Sequence, residues 1–155
     1  MQQIMERYKL KSNLIVFTAI VLSFIGCEAK PTESQIELAL DKQVIEKPFS
    51  LKEYSEKDFD SIFVIHPYFD TNRKVFLNLR MSKKLKSLCN VNTGSELIST
   101  ILFIKNSRVE AYTIIERKNA DFASIDFEKQ HLFPFDQKFI MDKERDVHIH
   151  SLYSE

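Results

Sequence analysis

The sequence predicts an α+β domain: an antiparallel sheet of about five strands with one or two short helices on one face. Three observations carry that expectation. Phe59-Asp-Ser-Ile-Phe-Val-Ile65 is crowded with β-branched and aromatic residues and is closed by Pro67, as suits a central strand covered on both faces. Ile98–Ile104 and Val109–Ile115 are two further runs of this kind, joined tightly by Lys105-Asn106-Ser107-Arg108. That is the pattern of a β-hairpin, and Asn106 can take the positive φ that a primed turn requires. Between strand and hairpin, Arg73–Thr93 holds no Gly or Pro, and Leu77, Met81, Leu85 and Leu88 recur at helical spacing.

The elements follow in chain order. Residues 1–13 carry Arg7, Lys9 and Lys11 against Glu6. Leu14–Ile25 is a run of twelve residues without a charge, followed by Gly26 and Cys27. A charged start, a short apolar run and a small residue before a processing point describe a secretory signal. The run is shorter than the roughly 20 apolar residues that cross ~30 Å of hydrocarbon. Residues 1–26 are therefore expected to be a cleaved signal peptide.

The segment Leu22-Ser-Phe-Ile-Gly-Cys27 resembles the lipobox of bacterial lipoproteins, with Phe24 standing where that family usually has Leu. The resemblance implies that the Cys27 thiol receives a diacylglycerol and becomes the first residue of the mature chain. It implies a location in the bacterial cell envelope, outside the cytoplasm, with the lipid bilayer as partner. One acyl chain binds reversibly, whereas two or three anchor stably.

Beyond the anchor, residues 27–48 are expected to be the lipidated cysteine and a tether, and 49–155 a single α+β domain. Residues 28–35 are polar and include Pro31; at ~3.3 Å per residue they reach some 25 Å when extended. In 36–47, Ile36, Leu38 and Leu40 alternate as in a strand, while Leu40, Val44 and Ile45 also suit a short helix. Irregular or strand structure is the expectation there. Phe49, Leu51 and Tyr54 are apolar footholds in a polar stretch, and Ser55–Asp58 is a turn.

Asp70-Thr-Asn72 can cap a helix. The competing periods after it predict one helix at about 72–78, a break near Arg80–Ser82, and a second helix capped by Ser82 and running through Cys89. The basic cluster Arg80, Lys83, Lys84 and Lys86 lies on or near that second helix. It reads first as a solvated face, and second as a contact for lipid headgroups or another anionic partner. Residues 117–136 form a long connection carrying Phe122, Ile125, Phe127, Phe133 and Phe135, which must fold back over an edge of the core. Lys138–Met141 and Val147–Tyr153 read as a final hairpin about Asp142–Asp146.

Phe59–Tyr68, then Ile101-Leu-Phe-Ile-Lys105 with Val109-Glu-Ala-Tyr112, then Arg117–Phe122 resemble small uncharacterised bacterial lipoproteins. In those, a strand ending in Pro-Tyr precedes a hydrophobic hairpin; here Phe59 stands in place of Trp. The resemblance spans about residues 49–142 and implies the fold and the envelope location, with no active site.

Composition excludes several functions. Lys and Arg number 22, matching 22 Asp and Glu, so no nucleic-acid partner is expected, since that needs a basic surface. Removing residues 1–26 takes away three cations and one anion and leaves a net charge near −2. Two glycines, Gly26 and Gly94, cannot make a glycine-rich phosphate loop, and two cysteines cannot make a four-cysteine zinc site. No cofactor is expected. Cys89 on the apolar side of its helix is expected to be buried and inert.

Four residues are candidates for binding. His66 and Tyr68 follow a central strand, where a binding edge often lies, and Asp70 could orient His66. Arg117 and Asp121 frame the Phe122 loop, as an ion pair pinning the connection or as ligand contacts. His148-x-His150 would place two imidazoles ~7 Å apart on one strand face. These could share a metal if His131 or Asp142 supplied a third ligand; otherwise they are a solvated edge. The expected function is a membrane-anchored, non-enzymatic binding or structural component, with another envelope protein as a further partner. The alternative is a small metal- or thiol-dependent enzyme using His148/His150 or Cys89.

Overall fold

The computed structural model describes residues 30, 31, 33–125 and 130–150. The expected signal peptide, Cys27, Phe127 and the last residues of the expected C-terminal strand lie outside that set. In chain order the elements are β1 (Lys30–Pro31), α1 (Glu33–Asp41), a 3-10 turn at Leu51–Tyr54, β2 (Ser61–Ile65), α2 (Lys74–Leu77) and α3 (Lys83–Asn92). They continue with β3 (Ile98–Lys105), β4 (Arg108–Glu116), a second 3-10 turn at Phe122–Ser124, β5 (Leu132–Pro134), β6 (Phe139–Met141) and β7 (Val147–Ile149). The α+β class holds.

The principal sheet has the order β1-β4-β3-β2-β5. β2, β3, β4 and β5 pair antiparallel, and β1 adds two residues parallel to β4. β3 is buried without interruption from Ser99 to Ile104, whereas β4 alternates. This is the signature of a central strand beside one that is fully covered on one face only. The β3–β4 turn has φ of 50° at Asn106 and 61° at Ser107, the primed geometry that matches strand twist. Asp60 holds the turn in place. Its Oδ2 accepts the Asn106 N–H at 2.7 Å and its Oδ1 sits 3.1 Å from Lys105 Nζ, and these two contacts keep its carboxyl below the usual range.

Apolar side chains divide between the two faces. Ile62, Val64, Ile101, Phe103, Ala111 and Ile115 join one core with α1, both 3-10 turns and the β6–β7 hairpin. Phe63, Ile65, Leu102 and Ile104 join a second core with Phe69, with Phe76 of α2 and with Leu85 and Cys89 of α3. α3 starts where expected, with Ser82 Oγ accepting the Leu85 N–H at 3.2 Å. Among the described residues no helix is long and apolar enough to cross a membrane.

Three details correct the sequence reading. First, residues 33–41 are helix and not irregular or strand. Ile36 and Leu40, four apart, are buried and Leu38 is exposed, so the helical period wins once the sheet offers a surface. The folded body therefore begins before residue 49 and takes in much of the stretch assigned to the tether. Second, the long connection supplies a strand of its own: β5 pairs with β2 through Phe133↔Ile62. Third, the final hairpin does not extend the main sheet. β6 and β7 form a separate two-stranded sheet, joined to Phe49 by reciprocal backbone hydrogen bonds with Phe139 at 2.9 and 2.8 Å.

Candidate functional site

Three of the four candidate binding residues meet at one end of the main sheet. β3 begins opposite the end of β4, with Ile98 paired to Glu116, so Glu96 and Arg117 are brought side by side. Arg117 donates to the Glu96 carbonyl oxygen at 2.9 Å and to Asp121 Oδ2 at 2.5 Å. The Tyr68 hydroxyl donates to the Glu96 carboxylate. A polar chain thus runs Tyr68–Glu96–Arg117–Asp121. Asp121 is buried, accepts the Ala123 N–H at 2.9 Å, and exchanges backbone hydrogen bonds with Arg145 and Val147. Arg117 and Asp121 therefore pin the connection and tie the hairpin to the main sheet.

Tyr68 differs from these. It is 69 % exposed and has φ of 62°, a region costly for a residue with a side chain. Its N–H donates to the Thr93 carbonyl at 2.8 Å, which holds the ring out at the end of α3.

His66 lies on the other side of Pro67 and has different company. β5 runs along β2, and the Val64 N–H donates to the His131 carbonyl at 3.0 Å, which sets His131 beside His66. Their rings stack with centroids 5.7 Å apart and planes 9° from parallel. Phe69 meets His131 edge-on at 4.8 Å. His66 Nδ1 donates to the Pro67 carbonyl at 2.6 Å, and Arg73 donates to His131 Nε2 at 2.7 Å. Burial first, and then the Arg73 charge, lower the pKa of both rings, that of His131 to about 4. Both imidazoles are neutral at neutral pH, and the cluster takes a proton only in acid. Asp70 does not orient His66; its Oδ1 accepts the Asn72 N–H at 2.9 Å within its own turn.

The residues of the enzymatic alternative are separate. Cys89 is fully buried, and desolvation pushes its thiol up to about 12. A thiol in that setting stays protonated and is a poor nucleophile. His148 donates to Asp142 Oδ2 at 3.2 Å, and Asp142, Asp146 and His148 bring ligand atoms within 4.8 Å of one another. His150 and His131 are not in that group, so the two-histidine pattern does not assemble as a shared site among the described residues.

Sequence reasoning missed Glu96, Arg73 and His131 as partners. Arg73 and His131 are 58 positions apart, and only the pairing of β5 with β2 joins them. Extending the β3–β4 register one step beyond Ile98↔Glu116 sets Arg117 opposite Leu97 and so beside Glu96. Compared with protein-family models, with curated proteins and with solved structures, the chain matches none of them.

Proposed function

We propose that the chain is a bacterial envelope lipoprotein, anchored through acylated Cys27, whose folded body is a non-enzymatic binding or structural component. The observation that carries this reading is the N-terminal order: cations, twelve uncharged residues, Gly26, Cys27. Each acyl CH₂ adds ~0.8 kcal/mol of membrane affinity, so a diacyl anchor holds without further signals. The side chains of the folded body support the non-enzymatic half. The polar groups at the end of the sheet are engaged with one another, and the Cys89 thiol is buried and protonated.

Mass spectrometry of the membrane fraction tests the anchor. An N-terminal peptide beginning at Cys27 and carrying diacylglycerol is expected. A Cys27→Ser chain is expected to keep its leader. A Cys27→Ser chain that is still processed and still floats with membranes would refute the proposal.

A second reading has one observation in its favour. The convergence of Asp142, Asp146 and His148 is a two-carboxylate, one-imidazole set compatible with a divalent transition metal. Zinc titration against a His148→Ala control tests it: no His148-dependent binding removes the metal-dependent enzyme.

A further inference from the structure

Charge on this protein is segregated. From Thr71 to Ser95 the chain carries Arg73, Lys74, Arg80, Lys83, Lys84 and Lys86 and no acidic residue. This stretch is the α2–α3 layer, which packs on one face of the sheet through Phe76, Leu85 and Cys89. Arg73 reaches inward to His131, while Lys74, Arg80, Lys83 and Lys84 are exposed and Lys86 is half-buried. Elsewhere acids and bases are interspersed along the chain, and several of them pair. Lys105 meets Asp60, Arg145 meets Asp41, Lys52 meets Asp58 and Lys138 meets Glu53. Among the described residues, Lys74, Arg80, Lys83 and Lys86 make no such ion pair.

The same layer leaves apolar side chains in water. Val75, Leu77 and Val91 are 40–70 % exposed, and Tyr68 and Leu97 stand at its end, beyond α3. Cations interleaved with exposed aliphatic and aromatic side chains are the composition of a surface that lies on an anionic bilayer. The cations meet the headgroups, and the apolar groups enter the boundary beneath them.

The anchor geometry agrees. Three peptide steps separate Cys27 from Lys30, and at ~3.6 Å per residue the acylated residue lies within about 11 Å of β1. β1 is fixed beside β4 at Ala111 and Tyr112. The basic layer reaches the same strand, since the Val109 N–H donates to the Arg80 carbonyl at 2.9 Å. A leash this short keeps the body at the membrane surface.

We infer that the α2–α3 layer docks on the headgroups of an anionic bilayer, so that the protein lies down on its membrane with the β6–β7 hairpin outward. This rests on the reading of the chain as held at a membrane, and deepens it.

The test uses full-length protein isolated from membranes and reconstituted into vesicles of phosphatidylcholine, with or without phosphatidylglycerol. A polarity-sensitive fluorophore is attached at Leu77→Cys, at Val91→Cys, or at Lys143→Cys in the hairpin turn. Emission from positions 77 and 91 is expected to shift to the blue only with phosphatidylglycerol and to return in high salt, while position 143 does not change. Lys83→Glu with Lys86→Glu is expected to abolish the shift without detaching the protein. Emission at 77 and 91 that behaves like 143 overturns the inference, as does a shift of equal size on phosphatidylcholine alone. A shift that requires an added envelope protein also overturns it, by making that protein the occupant. Failure of the anchor reading is recorded separately. The unsubstituted protein would then take label at a free Cys27, its N-terminal peptide would lack acyl mass, and the chain would not float with the vesicles.

Discussion

On one side of the central sheet the cover is thick: α1, two 3-10 turns and a second small sheet close over Phe49, Phe59, Phe103, Phe122, Phe133 and Phe139. On the other side it is thin. α2, a single turn of helix, and α3, ten residues long, sit over Phe63, Phe69 and Phe76. The thick cover has several acid–base pairs around it, and the α2–α3 stretch from Thr71 to Ser95 carries six cations and no acid. The difference teaches how such a chain divides its labour. Most of the aromatic packing is placed on one side, and the other side is closed by two short helices alone.

The largest expected effect tests the packing half of this contrast. Phe103→Ala removes a ring that lies 5.1 Å from Phe59 and 6.1 Å from Phe135, and a loss of about 4 kcal/mol is expected in urea unfolding. Phe76→Ala on the thin side should lose less, about 3 kcal/mol, because one helical turn can settle into the space. Equal losses would erase the distinction.

Acid comes next and strikes the thin side. The folded state holds His131 at about 4, against an ordinary value of 6.5. Between those two values the unfolded chain binds the proton and the folded chain does not. Stability is therefore complete above about pH 6.5 and falls as pH drops toward about 4, by up to about 3 kcal/mol. His66, also lowered, adds in the same direction. His131→Gln should flatten this part of the pH profile of urea midpoints relative to the parent; an unchanged slope would show that the ring is not desolvated as described.

Asp121→Ala should cost about 2 kcal/mol, since it leaves Arg117 Nη2 and the Ala123 N–H without their buried acceptor. Thermal unfolding should show the hairpin losing its amide protection first. The smallest effect has the opposite sign. Ser99 Oγ and Thr113 Oγ1 are buried beneath the thick cover and find no hydrogen-bond partner among the described residues. Thr113→Val removes one such group and should raise stability by about 1 kcal/mol.

What was legible in the sequence was local. β2, the β3–β4 hairpin and the Ser82 cap follow from runs of apolar residues and from turn and cap chemistry that a few neighbouring positions determine. α1 was not, because Ile36, Leu38 and Leu40 satisfy a period of two as well as one of four, and only the sheet beneath decides which of them is buried. β5 is three residues long and ends in Pro134, too short to declare itself. The separate second sheet depends on Phe49 finding Phe139, ninety positions away. The candidate site was legible in part. The roles of Tyr68, Arg117 and Asp121 become clear only through Glu96, and that of His66 only through β5. These are contacts of register, invisible to spacing along the chain.

Both margins of the main sheet end in proline, Pro31 in β1 and Pro134 in β5, and both margin strands are very short. A proline offers no amide hydrogen, so a neighbouring copy finds no ladder to continue. When molecules meet at high density, such blunted rims keep collisions from turning into fibrils.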